Sequence, residues 1–331
     1  MSRHSCNVLI SSAGRRVGLM QSFKASLQQL GLRGEVLATD MSRLSSASQL
    51  ADRSFLVPKC TSEEFVPAML DICQANDVQL LVPTIDTELH PLATSRDAFA
   101  AIGTTVAVSS PEVIAIGADK RTTHAWLLDH VFPTVRQASV EDVLADAAAW
   151  PFPLITKPVD GSASKGVAVV QSRDQLVAAT GQSNFIVQSI APGSEHTVDF
   201  LVDRSGRCTC VVPRMRLETR AGEVSKGMIV LSDRLEQLVR AVAEALPGAY
   251  GALNIQIFWD EPSGRIAIIE INPRFAGGFP LTWEAGGHFP RWIVEEILGL
   301  PSTASRARIQ DGLVMLRYDS AVFVERSHAG V

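Results

Sequence analysis

Short apolar runs alternate with amphipathic stretches along the first third of the chain. Runs at 8–12, 35–39, 54–57, 80–83 and 105–108 have the length of buried strands. Between them, 18–30, 62–76 and 87–102 place apolar side chains three and four apart, which predicts helices. Strands alternating with helices predict parallel pairing in a doubly wound α/β sheet, so residues 1–110 read as one domain.

The pattern then changes. A helical region over 111–130 is broken at Phe132-Pro133-Thr134, and a further helix ends in Ala147-Ala148-Ala149. Strands at 154–157 and 167–171 flank a loop of glycine and serine, a strand-loop-strand context unlike the strand-to-helix setting of a Walker P-loop. The remainder is rich in strands, at 185–188, 197–202, 207–212, 251–259 and 265–271, with a helix over 234–246 and two more between 280 and 300.

Composition narrows the class. A chain of 331 residues exceeds one typical core, so two or three subdomains around one site are expected. The net charge of -5, without a Lys/Arg cluster, argues against a nucleic-acid partner. The apolar run Val8-Leu9-Ile10 is too brief for a signal-peptide core or a membrane span, so a cytoplasmic protein without a membrane partner is expected. Five scattered cysteines do not suggest a disulfide framework; Cys208 and Cys210 read as buried side chains on one face of a strand.

The strongest chemical signal is Asn254-Ile255-Gln256 on one strand and Glu270-Ile271-Asn272-Pro273-Arg274 ending the next. A turn over 260–264 makes the two strands a hairpin, which sets Gln256 beside Glu270 and Asn272. Three oxygen-bearing side chains suit magnesium, which takes hard ligands and keeps positions for water and phosphate. A solvated strand end would explain Glu270 alone, but not the polar sequence running on to Gly277-Gly278.

A second signal runs from Lys157 through Gly161, Ser162, Ser164, Lys165 and Gly166. It is either an exposed hairpin turn or a phosphate cradle of backbone N–H groups, hydroxyls and a lysine. Lys157 favours the cradle, because a charge ending an apolar strand is costly unless paired. Gln188-Ser189-Ile190 could present backbone groups to a base, and Glu195 could accept from ribose hydroxyls. Lys120, Arg214, Arg216 and Lys226, the last three assigned to a loop region after Val212, are by themselves ordinary surface charges. Gly14-Arg15-Arg16 follows the first strand, where open α/β sheets bind ligands, and either arginine could clamp a carboxylate. Asp86 and Glu88 after another strand could receive an ammonium group, or could simply cap a helix.

Taken together, these residues resemble the ATP-grasp superfamily, within it the carbamoyl-phosphate-synthetase-like and pyrrolysine-biosynthesis-type carboxylate-amine ligases, from Asn7 to about Leu300. The resemblance implies an α/β ATP-grasp fold: a doubly wound pre-ATP-grasp domain at 1–110, a central region with a lid at 111–188, and a larger α+β domain with the metal site at 189–331. It further implies ATP and Mg2+ or Mn2+ as cofactors. Lys120, Lys157 and the 161–166 loop would contact phosphates, 188–190 the adenine, and Glu195 the ribose. Gln256, Glu270 and Asn272 would hold metal, Arg274 would steady the transferred phosphoryl group, and Arg214 would face the substrates.

The implied reaction activates a carboxylate as an acyl phosphate and joins it to an amine, with small-molecule substrates; a homodimer is allowed but the oligomeric state stays open. Gln188-Ser189 departs from the glutamate that many relatives carry in the adenine hinge, and the chain has one copy of a unit that full carbamoyl-phosphate synthetases duplicate. A kinase releasing a phosphorylated product, and a nucleotide-binding module without chemistry, are the rival expectations.

Overall fold

A computed structural model describes residues 5–161, 166–179, 184–220 and 222–329. Its first sheet is parallel, formed by β1 (Asn7–Ile10), β2 (Val36–Asp40), β3 (Arg53–Leu56), β4 (Val78–Val82) and β5 (Thr105–Val106) in the order β3-β2-β1-β4-β5. The intervening helices are α1 (Val17–Gln29), α2 (Ser46–Leu50), α3 (Phe65–Ala75), α4 (Asp86–Thr94) and α5 (Arg96–Ala101). The stretch read as one helix over 87–102 is divided at Ser95. Along β1, Val8 and Ile10 pack with α1 residues Met20 and Phe23, whereas Leu9 packs with Phe65 and Met69 of α3, so both faces of the sheet are covered. Strand order reverses between β1 and β4; the crevice beyond their carboxyl ends is the usual ligand position in such sheets.

Two helices, α6 (Pro111–Ala118) and α7 (Lys120–Asp129), lead to a small antiparallel sheet. Its strands are β6 (Gln137–Ser139), β7 (Leu154–Pro158), β8 (Ala168–Val170) and β9 (Phe185–Ser189), ordered β6-β9-β7-β8, with α8 (Val140–Ala145) and α9 (Arg173–Ala179). A third sheet follows, in the order β14-β13-β10-β11-β12-β15. Its strands are β10 (Ser194–Val202), β11 (Cys208–Arg220), β12 (Glu223–Ile229), β13 (Gly251–Asp260), β14 (Arg265–Asn272) and β15 (Val314–Leu316). Helices α10 (Asp233–Ala245), α11 (Phe279–Glu284), α12 (Phe289–Ile297) and α13 (Arg326–Ala329) complete the described chain. No helix among the described residues is long and apolar enough to cross a membrane.

Two expectations are corrected here. Arg214, Arg216 and Lys226 do not lie in a loop: β11 continues to Arg220 and pairs antiparallel with β12. Cys208 and Cys210 do not share a face, because a bulge that pairs Leu201 with Cys210 and Val202 with Cys208 turns them into different cores. Both are buried free thiols, pushed up to about 12 by desolvation.

The first and third sheets share one apolar core. Phe23 of α1 meets Phe275 edge-on at 6.1 Å between ring centroids, and Phe275 meets Phe279 of α11 at 4.7 Å. A Cβ on Gly18 would lie 2.8 Å from Pro280 Cγ, so close docking of α1 on α11 depends on that glycine. This contact brings the carboxyl ends of β1 and β4 against the turn that follows β14.

Candidate active site

A cavity of about 660 Å³ opens where the sheets meet, within the usual range for small-molecule sites. Arg16, Thr84 and Asp86 line it from the first sheet, Lys120 and Gly161 from the small-sheet side, and Asn254, Gln256, Glu270, Asn272 and Arg274 from the third.

The β13–β14 hairpin supplies the acid and amides. Gln256 pairs with Glu270 and Asn254 with Asn272, and the register shifts between Gln256 and Ile257. Plain alternation would put Glu270 on the face of Ile268, which is buried in the core beneath. The extra residue, Ile269, re-aims the strand end, so Ile268 and Ile271 both enter that core while Glu270 and Asn272 face the cavity. Asn254, for which the sequence suggests no separate role, donates from Nδ2 to the Arg274 carbonyl at 2.9 Å and fixes the turn.

Charge is concentrated around this point. Burial pushes the Glu270 carboxyl upward, and Lys120, Lys157 and Arg274 work against that rise. Burial pulls Lys157 down to about 8, with Glu270 opposing. Lys157 is 6% exposed, and among the described residues no hydrogen bond or ion pair reaches its ammonium group. Lys120 Nζ donates to the Gly161 carbonyl at 3.1 Å, which closes the start of the glycine loop toward α7. Gly161 and Gly166 both have positive φ, and a Cβ on Gly166 would meet Pro158 at 2.8 Å. Ser162, Ser164 and Lys165 lie outside the described residues.

The substrate side separates the two arginines. Arg15 is exposed and does not line the cavity, whereas Arg16 lines it and donates to the Thr84 carbonyl at 3.4 Å. Burial lowers the Arg16 pKa, and the nearby Arg274 charge lowers it further. Glu88 is not an ammonium receptor. It is fully buried and accepts from Ser11 Oγ at 2.5 Å, Ser12 Oγ at 2.7 Å, and the backbone N–H groups of Thr84 and Ile85 at 2.6 and 3.1 Å. It therefore caps α4 and ties the ends of β1 and β4 together. Asp86 faces the cavity, engaged with Arg274 through Oδ1 and Oδ2 at 2.7 and 2.8 Å.

Several groups of the expected nucleotide hinge are already paired within the protein. Gln188 Nε2 donates to Gln137 Oε1 at 2.6 Å, so its amide is spent between β9 and β6. The Ser189 N–H donates to the Arg136 carbonyl at 3.0 Å, and Glu195 is ion-paired with Arg216 at 2.5 Å. Gln188, Ser189, Ile190 and Glu195 do not line the cavity. Arg214 touches it, yet is 1% exposed and gripped by buried Asp199, with Thr282 Oγ1 donating to the same carboxylate. Lys226 pairs on the surface with Glu218. Glu223, from the unforeseen β12, also lines the cavity; Ala221-Gly222 between polar runs is the turn signal that marks its hairpin.

Similarity to known proteins agrees with this architecture. Residues 8–107 match the PylC-like N-terminal domain and residues 117–278 an ATP-grasp domain. Carbamoyl phosphate synthase large chain of Methanothermobacter thermautotrophicus is 25% identical over 285 residues, which is 80% of this chain and 26% of that protein. D-alanine–D-alanine ligase of Chromohalobacter salexigens is 31% identical over 116 residues, 33% of this chain and 35% of that one. The chain thus spans only about a quarter to a third of the length of these relatives. A biotin carboxylase from Campylobacter jejuni, solved with β,γ-ATP, superposes with a TM-score of 0.72 at 16% identity, covering 93% of this chain and 74% of that one. N5-carboxyaminoimidazole ribonucleotide synthetase from Thermotoga maritima superposes with a TM-score of 0.65 at 19% identity, covering 90% and 77%. The chain therefore carries a PylC-like N-terminal domain over residues 8–107, followed by an ATP-grasp domain over residues 117–278.

Proposed function

We propose that this chain is an ADP-forming ligase that activates a carboxylate as an acyl phosphate and couples it to an amine, with ATP and magnesium. The observation that carries this reading is the convergence of Gln256, Glu270, Asn272 and Arg274 on a cavity that Lys120 also lines, with buried Lys157 in the field of Glu270. A buried ammonium without a hydrogen-bond partner is costly, and a phosphate chain is an anion that would satisfy it.

The donor set fits magnesium: one carboxylate and two amide oxygens on adjoining strands, all hard oxygen ligands. When bound there, the ion would neutralise charge on the phosphate oxygens. The protein's own share is to orient and to exclude water. Lys157 and Lys120 hold phosphate oxygens, Arg274 meets the transferring phosphoryl group, and Arg16 draws an anionic group of the acid into the cavity. The acid's oxygen attacks the γ-phosphorus and ADP leaves; the amine nitrogen then attacks the acyl carbon and phosphate leaves. The substrates are small molecules, and the reading places the enzyme in the cytoplasm.

The test is a screen of amino acids and other carboxylates with Mg·ATP and hydroxylamine. Acid-dependent ADP release with hydroxamate formation, lost in Glu270→Gln, is expected. No hydroxamate with any acid, or undiminished turnover in Glu270→Gln, would overturn the reading.

A further inference from the structure

The ion pair between Asp86 and Arg274 joins the two halves of the cavity. Asp86 begins α4 behind the first sheet, and Arg274 follows β14 of the third, 188 residues away in sequence. The guanidinium has two edges that can each make paired hydrogen bonds. Asp86 holds one of them, Nε and Nη2, at 2.7 and 2.8 Å. The other edge makes only long contacts: Nη1 to the Phe275 carbonyl at 3.3 Å, and Nη2 to Asn272 Oδ1 at 3.4 Å. That loosely held edge lies toward Asn272, beside Glu270.

Asp86 is itself fixed. Glu88 accepts from the N–H groups of Thr84 and Ile85, so the backbone that carries Asp86 is pinned to β1 and β4. An unbroken chain of contacts therefore runs from the buried Glu88 through the β4–α4 turn to Asp86, then to Arg274 and Asn272.

We propose that Asp86 is a positioning residue: it grips the rear edge of Arg274 so that Nη1 and Nη2 face the transferring phosphoryl group, and it is not the receptor for a substrate ammonium. The proposal rests on the phosphoryl-transfer step of the ligase reading for the role of Arg274, and not on the later attack by an amine. It also makes the PylC-like domain a direct part of the phosphoryl-transfer apparatus, beyond its place in substrate binding.

The experiment compares calorimetric affinity for Mg·ADP with that for Mg·ADP plus aluminium fluoride, which mimics the phosphoryl group in transfer, in wild type, Asp86→Asn, Asp86→Ala, Asp86→Glu and Arg274→Ala. Wild type should bind the fluoride complex more tightly. Asp86→Asn should lose about 10- to 100-fold of that gain, as expected for a misplaced group, with Mg·ADP affinity unchanged; Asp86→Glu should recover most of it, and Arg274→Ala none. An unaltered fluoride preference in Asp86→Asn, equal loss of Mg·ADP affinity, no recovery in Asp86→Glu relative to Asp86→Ala, or no preference in wild type would each overturn the proposal. If these affinities behave as expected while no acid yields a hydroxamate, the ligase reading falls and the Asp86 assignment stands.

Discussion

Two arginine–carboxylate pairs meet the same cavity and have different work. Arg214 and Asp199 sit on neighbouring strands, 1% and 2% exposed, with bonds of 2.7 and 3.0 Å and a third contact from Thr282. Arg274 and Asp86 have equally short bonds but come from separate sheets, and are 13% and 41% exposed. The same bidentate geometry is sealed in one case and open to ligands in the other. Bond length does not tell scaffold from machinery; burial and the unused edge of the guanidinium do.

The comparison is broken most forcefully at Asp199. Removing it leaves the Arg214 guanidinium buried without a counter-charge, a loss of about 3–5 kcal/mol. Asp199→Ala should lower the urea midpoint by that loss divided by the slope, with the slope itself unchanged. Asp86→Asn leaves Arg274, 13% exposed, with water on the Asp86 side, and should cost clearly less than Asp199→Ala in the same titration. Equal losses in the two variants would erase the distinction between the pairs.

A medium effect comes from Lys157, the buried cation without a protein partner among the described residues. Its pKa lies at about 8 rather than 10.5, because burial disfavours the charged form. The folded value lies below the unfolded one, so the ligand-free protein gains stability as pH rises from about 8 toward 10.5. Phosphate binding favours the protonated form and has the opposite sign. Affinity for Mg·ADP should fall above pH 8, by up to about tenfold per pH unit, whereas Lys157→Arg should give a flat profile by calorimetry. A flat wild-type profile would remove Lys157 from the nucleotide site.

These pairs also show what a single sequence discloses. The doubly wound first sheet was legible because its strands are short apolar runs separated by amphipathic helices. The β13–β14 hairpin was legible because polar residues begin abruptly at Glu270. The bulge at Ile269 was not: in Ile266-Ala267-Ile268-Ile269-Glu270, strict alternation puts Glu270 on the core face, and only pairing with β13 shows the slip. Glu88 looked like Asp86, two residues along, yet one is a buried cap and the other faces the cavity, a difference set by hydroxyls 76 and 77 residues away. The Arg214–Asp199 pair is marked in the sequence more faintly. Each interrupts an apolar strand on either side of the tight turn at Asp203–Gly206, and the observed register sets them diagonally, Asp199 opposite Val212 and Arg214 opposite Thr197.

An effect smaller than that of Asp199→Ala separates the pair from its third member. Thr282 reaches Asp199 from α11, the helix on which α1 docks, so its hydroxyl joins the ion pair to the junction between the first and third sheets. Thr282→Val keeps the shape and removes one donor, while Asp199 retains both bonds from Arg214. The loss should be about 1.5–3 kcal/mol, the worth of a hydrogen bond to a charged group, and should appear as a fall in the urea midpoint with Mg·ADP affinity unchanged. A fall as large as that of Asp199→Ala would mean that the docking of α11, and not the buried charge, carries the stability of this corner. The contrast with Asp86 and Arg274 would then rest on packing instead of electrostatics.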